Sequence, residues 1–368
     1  MMFNFLLLEP EIEKLLNEAQ LNGVTLFGAG HFARSVHSAL RNLGVQVHAF
    51  VVSGPSPGMI EAVPVVSLDD LNHTLRTLPM WLAVFNRHAA SDLLMLATVC
   101  KGRGVARPRL PQEYFEVIEA QMGWRYWLTD RSRYGSQQAH IEAAFRMLGD
   151  DESRRQFMET LRFRLGAASA QAQQPSSTPQ YFPDDIIRGL AAPDRGIHFV
   201  DGGAYDGETL RQAASRVPLA TAYAFEPDAE NFSRLAETAK ALDFPVVCFP
   251  CGLSNRTEWL SFSSQNGEAS AVVADGDTRI QCVKLDDCLV GRPVDFIKLD
   301  VEGHDLAALE GALDIIGRYR PVLAIAAYHR WDDIWRIPEF LRRNAPDYQI
   351  SYRTHEYNTF DSVFYAAC

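Results

Sequence analysis

At 368 residues the chain is long enough for two domains, and its composition, 47% apolar and 22% charged, is that of a soluble globular protein. A formal charge of -11 with no long basic run argues against a nucleic-acid partner. The opening MMFNFLLLEP lacks a basic start, and its apolar run is too short for a signal or membrane helix, so a cytoplasmic protein without membrane contact is expected.

Val24-Thr25-Leu26-Phe27 reads as the first strand, followed by the turn Gly28-Ala29-Gly30 and a helix from Arg34 to Leu43. A second strand spans Val45 to Val52. Ala33 stands where the dinucleotide fingerprint has its third glycine, a tolerated change, but no acid closes the second strand, which runs out as Ser53-Gly54-Pro55. That absence counts against NAD. Val63 to Val66, Met80 to Phe85 and a helix around Ser91 to Cys100 continue the alternation, so residues 1–110 are expected to form a small parallel sheet with helices.

Residues 111–165 carry helical spacing in Phe115, Ile118, Met122, Trp127, Ile141, Phe145, Leu148, Phe157 and Leu161. Ala167 to Gln180 is small, polar and uncharged, which marks a linker or a lid over a following pocket. Residues 111–185 are therefore read as a helical connector and linker, and 186–368 as a second α/β domain. Its strands are expected at Ile197 to Val200, Ala222 to Phe225, Val246 to Phe249, Phe296 to Leu299 and Val322 to Ala327. A strand pair is expected between Glu258 and Leu285, and a hairpin-like ending at Gln349 to Tyr352 and Ser362 to Ala366, joined through His355-Glu356-Tyr357-Asn358.

The chemistry is concentrated at the tips of these strands. Asp201, Gly202, Gly203 and Gly207 follow the strand from Ile197 where the chain must turn sharply and let a ligand approach its backbone. Glu226, twenty-five residues after Asp201 and next to Pro227, ends the neighbouring strand, where a carboxylate can accept both ribose hydroxyls. An aspartate inside the turn opposes a pyrophosphate and suits a cationic, phosphate-free ligand such as S-adenosylmethionine. A tight loop with a capping acid is the structural alternative.

In Ile297-Lys298-Leu299-Asp300-Val301-Glu302-Gly303-His304 the strand brings Lys298, Asp300 and Glu302 to the next strand tip. Lys298 is expected to neutralise one carboxylate while Asp300 faces the reacting groups; a structural ion pair with Glu302 capping the next helix is the alternative. His329 follows the strand ending at Ala327 and suits a general base, with Asp300 the competing base. Asp300 and Glu302 could instead hold a divalent ion, and His329 could be a hydrogen-bonded wall residue. Asp286-Asp287 reads as a turn acid or as an orienting group. Backbone at Cys251-Gly252-Leu253-Ser254 could meet an adenine ring, and Ser270 could reach the cofactor. The six cysteines, Cys100, Cys248, Cys251, Cys282, Cys288 and Cys368, lack zinc-site spacing and read as reduced thiols.

The ordered set Asp201 to Gly207, Glu226-Pro227, Val283 to Asp287 and Ile297 to Gly303 resembles the FkbM family of S-adenosylmethionine-dependent methyltransferases over roughly 195–366. The segments Ala327 to Asp333 and Asp361 to Tyr365 are similar to its later ones. The resemblance implies a class I methyltransferase fold, a seven-stranded doubly wound sheet with an antiparallel last strand. It also implies methyl transfer to an oxygen of a sugar, glycan or secondary metabolite. Cofactor roles carry over to Asp201, Gly203, Gly207 and Glu226. The first domain, through Leu26 to Gly30, resembles the Rossmann-like N-terminal domain of some sugar acyltransferases and some longer FkbM proteins.

The expected cofactor is S-adenosylmethionine and the expected partner a small-molecule or glycan acceptor; a homo-oligomer is left open. The rival readings are an NAD(P)-dependent oxidoreductase built on the first domain and a non-catalytic scaffold that binds a nucleotide or nucleotide sugar.

Overall fold

The computed structural model describes residues 3, 12–55, 58–123, 125–167, 174–188, 190, 196–263, 271–272 and 278–368. Nearly all of the opening decapeptide, part of the polar segment Ala167 to Gln180, and Ser270 lie outside them. The chain forms two compact units, one of residues 1–142, 155–175 and 356–360, the other of residues 143–154, 176–355 and 361–368. The segment 111–185 is thus shared between both.

The first unit holds β1 (Val24–Phe27), β2 (Val47–Val52), β3 (Gly58–Ile60), β4 (Val63–Ser67), β5 (Pro79–Leu82) and β6 (Arg107–Arg109) in the order β3-β4-β2-β1-β5-β6. All pairings are parallel except β3 with β4, an edge hairpin that the alternation of strand and helix did not predict. Gly28 has φ of 124°, and a Cβ there would stand 2.6 Å from the Ala83 carbonyl. The expected helix starts earlier, at His31–Asn42, because Gly30 is its N-cap. Tyr114 stacks on Trp81 at 4.4 Å and donates to the Leu82 carbonyl, which closes the core over β5. Residues 356–358 of the stretch expected only to join the last two strands belong to this unit. Asn358 accepts from Leu93 N and donates to the carbonyls of Asn86 and Ser91.

The second unit holds β7 (Ile197–Gly202), β8 (Leu219–Phe225), β9 (Val246–Phe249), β10 (Gly252–Leu253), β11 (Glu258–Ser263), β12 (Ala271–Val272), β13 (Thr278–Val283), β14 (Phe296–Leu299), β15 (Val322–Ala326), β16 (Gln349–Thr354) and β17 (Ser362–Ala367). Seven of them form one sheet in the order β16-β17-β15-β14-β7-β8-β9. β17 runs antiparallel to both neighbours while β9, β8, β7, β14 and β15 are parallel, so the seven-stranded sheet with a reversed last strand is as the family resemblance implies. The strand pair expected within 258–285 is part of a four-stranded sheet, β10-β13-β11-β12.

The buried strands explain why this unit folds as it does. β14 and β15 are buried throughout and, but for Lys298, apolar, as strands covered on both faces must be. Phe182 packs on Phe199 and Phe296 at ring distances of 5.7 and 5.2 Å, so the chain just after the polar segment is core of this unit. Among the described residues no helix is long and apolar enough to cross a membrane.

Candidate active site

The carboxyl-terminal ends of β7, β8, β14 and β15 meet at one edge, where open parallel sheets bind ligands. β7 ends in Asp201 and Gly202, and the chain reverses through Gly203 (φ 74°), Tyr205 (φ 50°) and Gly207 (φ 87°). The Gly203 and Ala204 N–H groups both donate to the Phe225 carbonyl at 3.0 Å, which ties the turn to the end of β8. A Cβ on Gly203 would collide with the Asp300 carbonyl, and one on Gly207 would stand 2.8 Å from Thr238 Cγ2. Gly202 is set by packing instead, since its Cβ would be 2.9 Å from both Leu253 and Leu299.

Glu226 directly follows β8 and is 6% exposed. Its Oε2 accepts from Tyr205 N and its Oε1 from Asp228 N, each at 2.9 Å, so turn and acid are locked together. Each carboxylate oxygen keeps a further lone pair for a ligand hydroxyl. Burial pushes the Glu226 carboxyl up to about 7 against the pull of those two N–H groups. Pro227 is half-buried, and a Cβ on Gly252 would stand 3.8 Å from its Cγ, which places the two side by side.

Asp201 is fully buried, and Lys298 lies directly opposite it in the register of β7 and β14. Their Nζ to Oδ1 distance is 2.9 Å. Burial raises the pKa of Asp201, with Lys298 opposing; burial lowers that of Lys298, but Asp201 and Asp300 outweigh it and the net shift is upward. The negative charge read into the turn is therefore compensated below it. The carboxylate that Lys298 chiefly neutralises is Asp201.

Asp300, just past β14, is the centre of the second cluster. Tyr181 donates to its Oδ2 at 2.6 Å, Tyr328 donates to its Oδ1 at 3.3 Å, and His329 Nε2 lies 3.1 Å from the same Oδ1. Against burial, His329, Lys298 and Tyr181 hold the Asp300 carboxyl well below the usual range. Glu302 adopts φ of 51°, an uncommon state for a residue with a Cβ, and brings Oε2 to 3.6 Å from His329 Nε2. On the other side of the ring, Nδ1 lies 3.0 Å from Asp305 Oδ2. Asp305 also accepts from the N–H groups of Val301 and Gly303, so one buried carboxylate shapes the Glu302 turn and anchors the imidazole.

His329 is 1% exposed, and burial alone would lower its pKa. The charges of Asp305 and Glu302 with the contacts to Asp300 reverse that and raise it well above 6.5. A general base must be neutral, and the upward shift favours the charged ring, which weighs against the base role expected from the sequence. The Nε2 nitrogen lies 3.1 and 3.6 Å from the two carboxylates considered as ion ligands. Among the described residues no group of three or more His, Cys, Asp or Glu is arranged to hold a metal ion.

Tyr181, Asp305 and Asp333 were not singled out from sequence. Asp333 accepts from Arg330 N, and burial pushes its carboxyl up to about 8, with Asp305 and Asp332 adding to the shift. Tyr181 stands at the end of the segment read as linker or lid, and nothing local marks it. Asp286 proves structural: it caps the helix Leu313–Tyr319 by accepting from Asp314 N and Ile315 N. The N-terminal glycine turn sits at the end of β1, and β2 ends in Val52 and Ser53 with no carboxylate.

Residues 201–352 match the model of the methyltransferase FkbM domain. Over 98 residues the chain is 31% identical to the hexuronic acid methyltransferase AglP of Haloferax volcanii, covering 25% of this chain and 41% of that protein. The chain thus spans less than half the length of that curated relative. The crystal structure of methyltransferase FkbM from Methylobacillus flagellatus KT superposes with a TM-score of 0.76 at 21% identity, over 97% of this chain and 93% of that one. At that identity the likeness establishes a shared fold.

Proposed function

We propose that this chain, which carries a methyltransferase FkbM domain in residues 201–352, transfers a methyl group from S-adenosylmethionine to a hydroxyl of a sugar, glycan or secondary metabolite. The observation that carries the reading is Glu226, locked through Tyr205 N–H to the glycine turn at the edge where parallel strands end. Glu226 would hold the ribose hydroxyls, Pro227 and Gly252 would border the base, and the turn from Asp201 to Gly207 would admit the rest of the nucleoside. Four carboxylates at this edge, Asp201, Asp300, Glu302 and Asp305, face two cations, Lys298 and His329. The surplus of negative charge suits a sulfonium and opposes a pyrophosphate.

The cofactor supplies an already electrophilic methyl, so this chain's residues need only align the acceptor oxygen and take its proton. The Asp300 and Glu302 side chains are 22% and 25% exposed, within reach of an acceptor hydroxyl. His329 fixes both in place, and Asp305 holds the ring from behind. The proton would leave to one of these two half-buried carboxylates, with Glu302 the better acceptor because the Asp300 carboxyl is held well below the usual range. The name of the curated relative supports a sugar acceptor, and the six unpaired cysteines support a reducing, cytoplasmic setting.

Isothermal titration calorimetry with S-adenosylmethionine, S-adenosylhomocysteine and NAD tests the reading. Both adenosyl ligands are expected to bind and NAD is not. Binding of NAD alone would sink it.

A further inference from the structure

We propose that Lys298 is a positioning residue of the cofactor turn, holding three successive residues of it through one buried ammonium; the proposal rests on the reading of that turn as the adenosyl site. Nζ lies 2.9 Å from Asp201 Oδ1 and donates to the carbonyls of Gly202 at 3.1 Å and Gly203 at 2.6 Å. An ammonium has three N–H donors, and three oxygens of the turn surround this one. The Tyr181 ring covers the same nitrogen at 5.4 Å, and the side chain is 2% exposed.

Charge balance alone does not require this arrangement. A lysine that merely neutralised Asp201 would need one contact, and a buried ion pair adds little net stability over an apolar pair of the same volume. The two carbonyl bonds do something else. They fix the peptide planes after Gly202 and Gly203, and with them the left-handed backbone at Gly203. Two residues on, the Tyr205 N–H reaches Glu226 Oε2. The ammonium, the turn and the ribose-binding acid are therefore linked in series, and loosening the first should be felt at the last.

The test is the double variant Asp201→Asn with Lys298→Met, which removes one negative and one positive charge and leaves the net charge of the site unchanged. Apolar and neutral replacements of similar size should keep the melting temperature close to that of the wild type. Calorimetry is expected to show S-adenosylmethionine and S-adenosylhomocysteine both bound at least about ten-fold more weakly, the scale of a lost hydrogen bond to a charged group. A folded double variant that binds both ligands as the wild type does would overturn the proposal.

Amide hydrogen exchange at Gly203 and Ala204 gives a readout without ligand. It should be about ten-fold faster in the double variant, and unchanged exchange also counts against Lys298. Should the wild type bind neither ligand, the adenosyl reading fails first and this exchange alone decides the role of Lys298 in the turn. Should the double variant not fold, wild-type protein labelled with 15N-lysine decides. Its Lys298 ammonium resonance is expected to move when S-adenosylhomocysteine is added, and an unmoved resonance overturns the proposal.

Discussion

His329 Nδ1 stands 3.0 Å from Asp305 Oδ2, deep inside the second unit, and both side chains are 1% exposed. With Asp300 and Glu302 against the other ring nitrogen, the imidazole is enclosed by carboxylates on both sides. These contacts favour the charged ring over the neutral one.

The folded pKa of His329 is raised above the unfolded value of about 6.5. Folding takes up a proton at this site, so the stabilisation is complete below about pH 6.5 and is lost as pH rises through the folded value. Urea unfolding at a series of pH values should show wild type losing stability relative to His329→Gln on the alkaline side. Parallel pH profiles for the two proteins would contradict the imidazolium.

Glu226 titrates at about 7 because it is buried. Its ionised form is the better acceptor for two ribose hydroxyls, so affinity for S-adenosylmethionine should rise as pH passes upward through 7. In Glu226→Gln the affinity should be flat across that range and about ten-fold weaker on its alkaline side. Calorimetry above and below neutrality checks both, and a Glu226→Gln protein that kept the wild-type pH dependence would place the titrating group elsewhere.

Two glycines of the same turn should respond differently to alanine. At Gly203 the new Cβ meets the Asp300 carbonyl, backbone that cannot step aside, on top of the strain of a left-handed φ. At Gly207, where φ is also left-handed, it meets the Thr238 side chain at 2.8 Å rather than backbone. Gly203→Ala should therefore cost more than about 3 kcal/mol and Gly207→Ala about 1 to 3 kcal/mol by urea unfolding. Equal losses would mean that the turn relaxes as a whole.

Much of this was legible in residue order. The apolar strand into Asp201, the glycines after it, Glu226 and the run from Ile297 to Gly303 each occupy a few consecutive positions, and the structure places them at one sheet edge. Their partners were not legible. Tyr181 reaches Asp300 across 119 residues of chain, and Asp305, which follows Gly303 as an ordinary first-turn acid, meets His329 across 24. Helix and strand periodicity reports which face of an element is buried, and it carries no information about which distant side chain lies opposite.

Local pattern alone determined the elements, the glycine turns and the acid at the end of β8, because steric limits on φ and the burial of alternate side chains act over a few residues. Tertiary structure decided that Lys298 faces Asp201 and that His329 sits among carboxylates that raise its pKa. Register between strands far apart in the chain sets the first, and the joint electrostatics of three carboxylates within residues 300–305, brought against a histidine 24 residues further on, set the second.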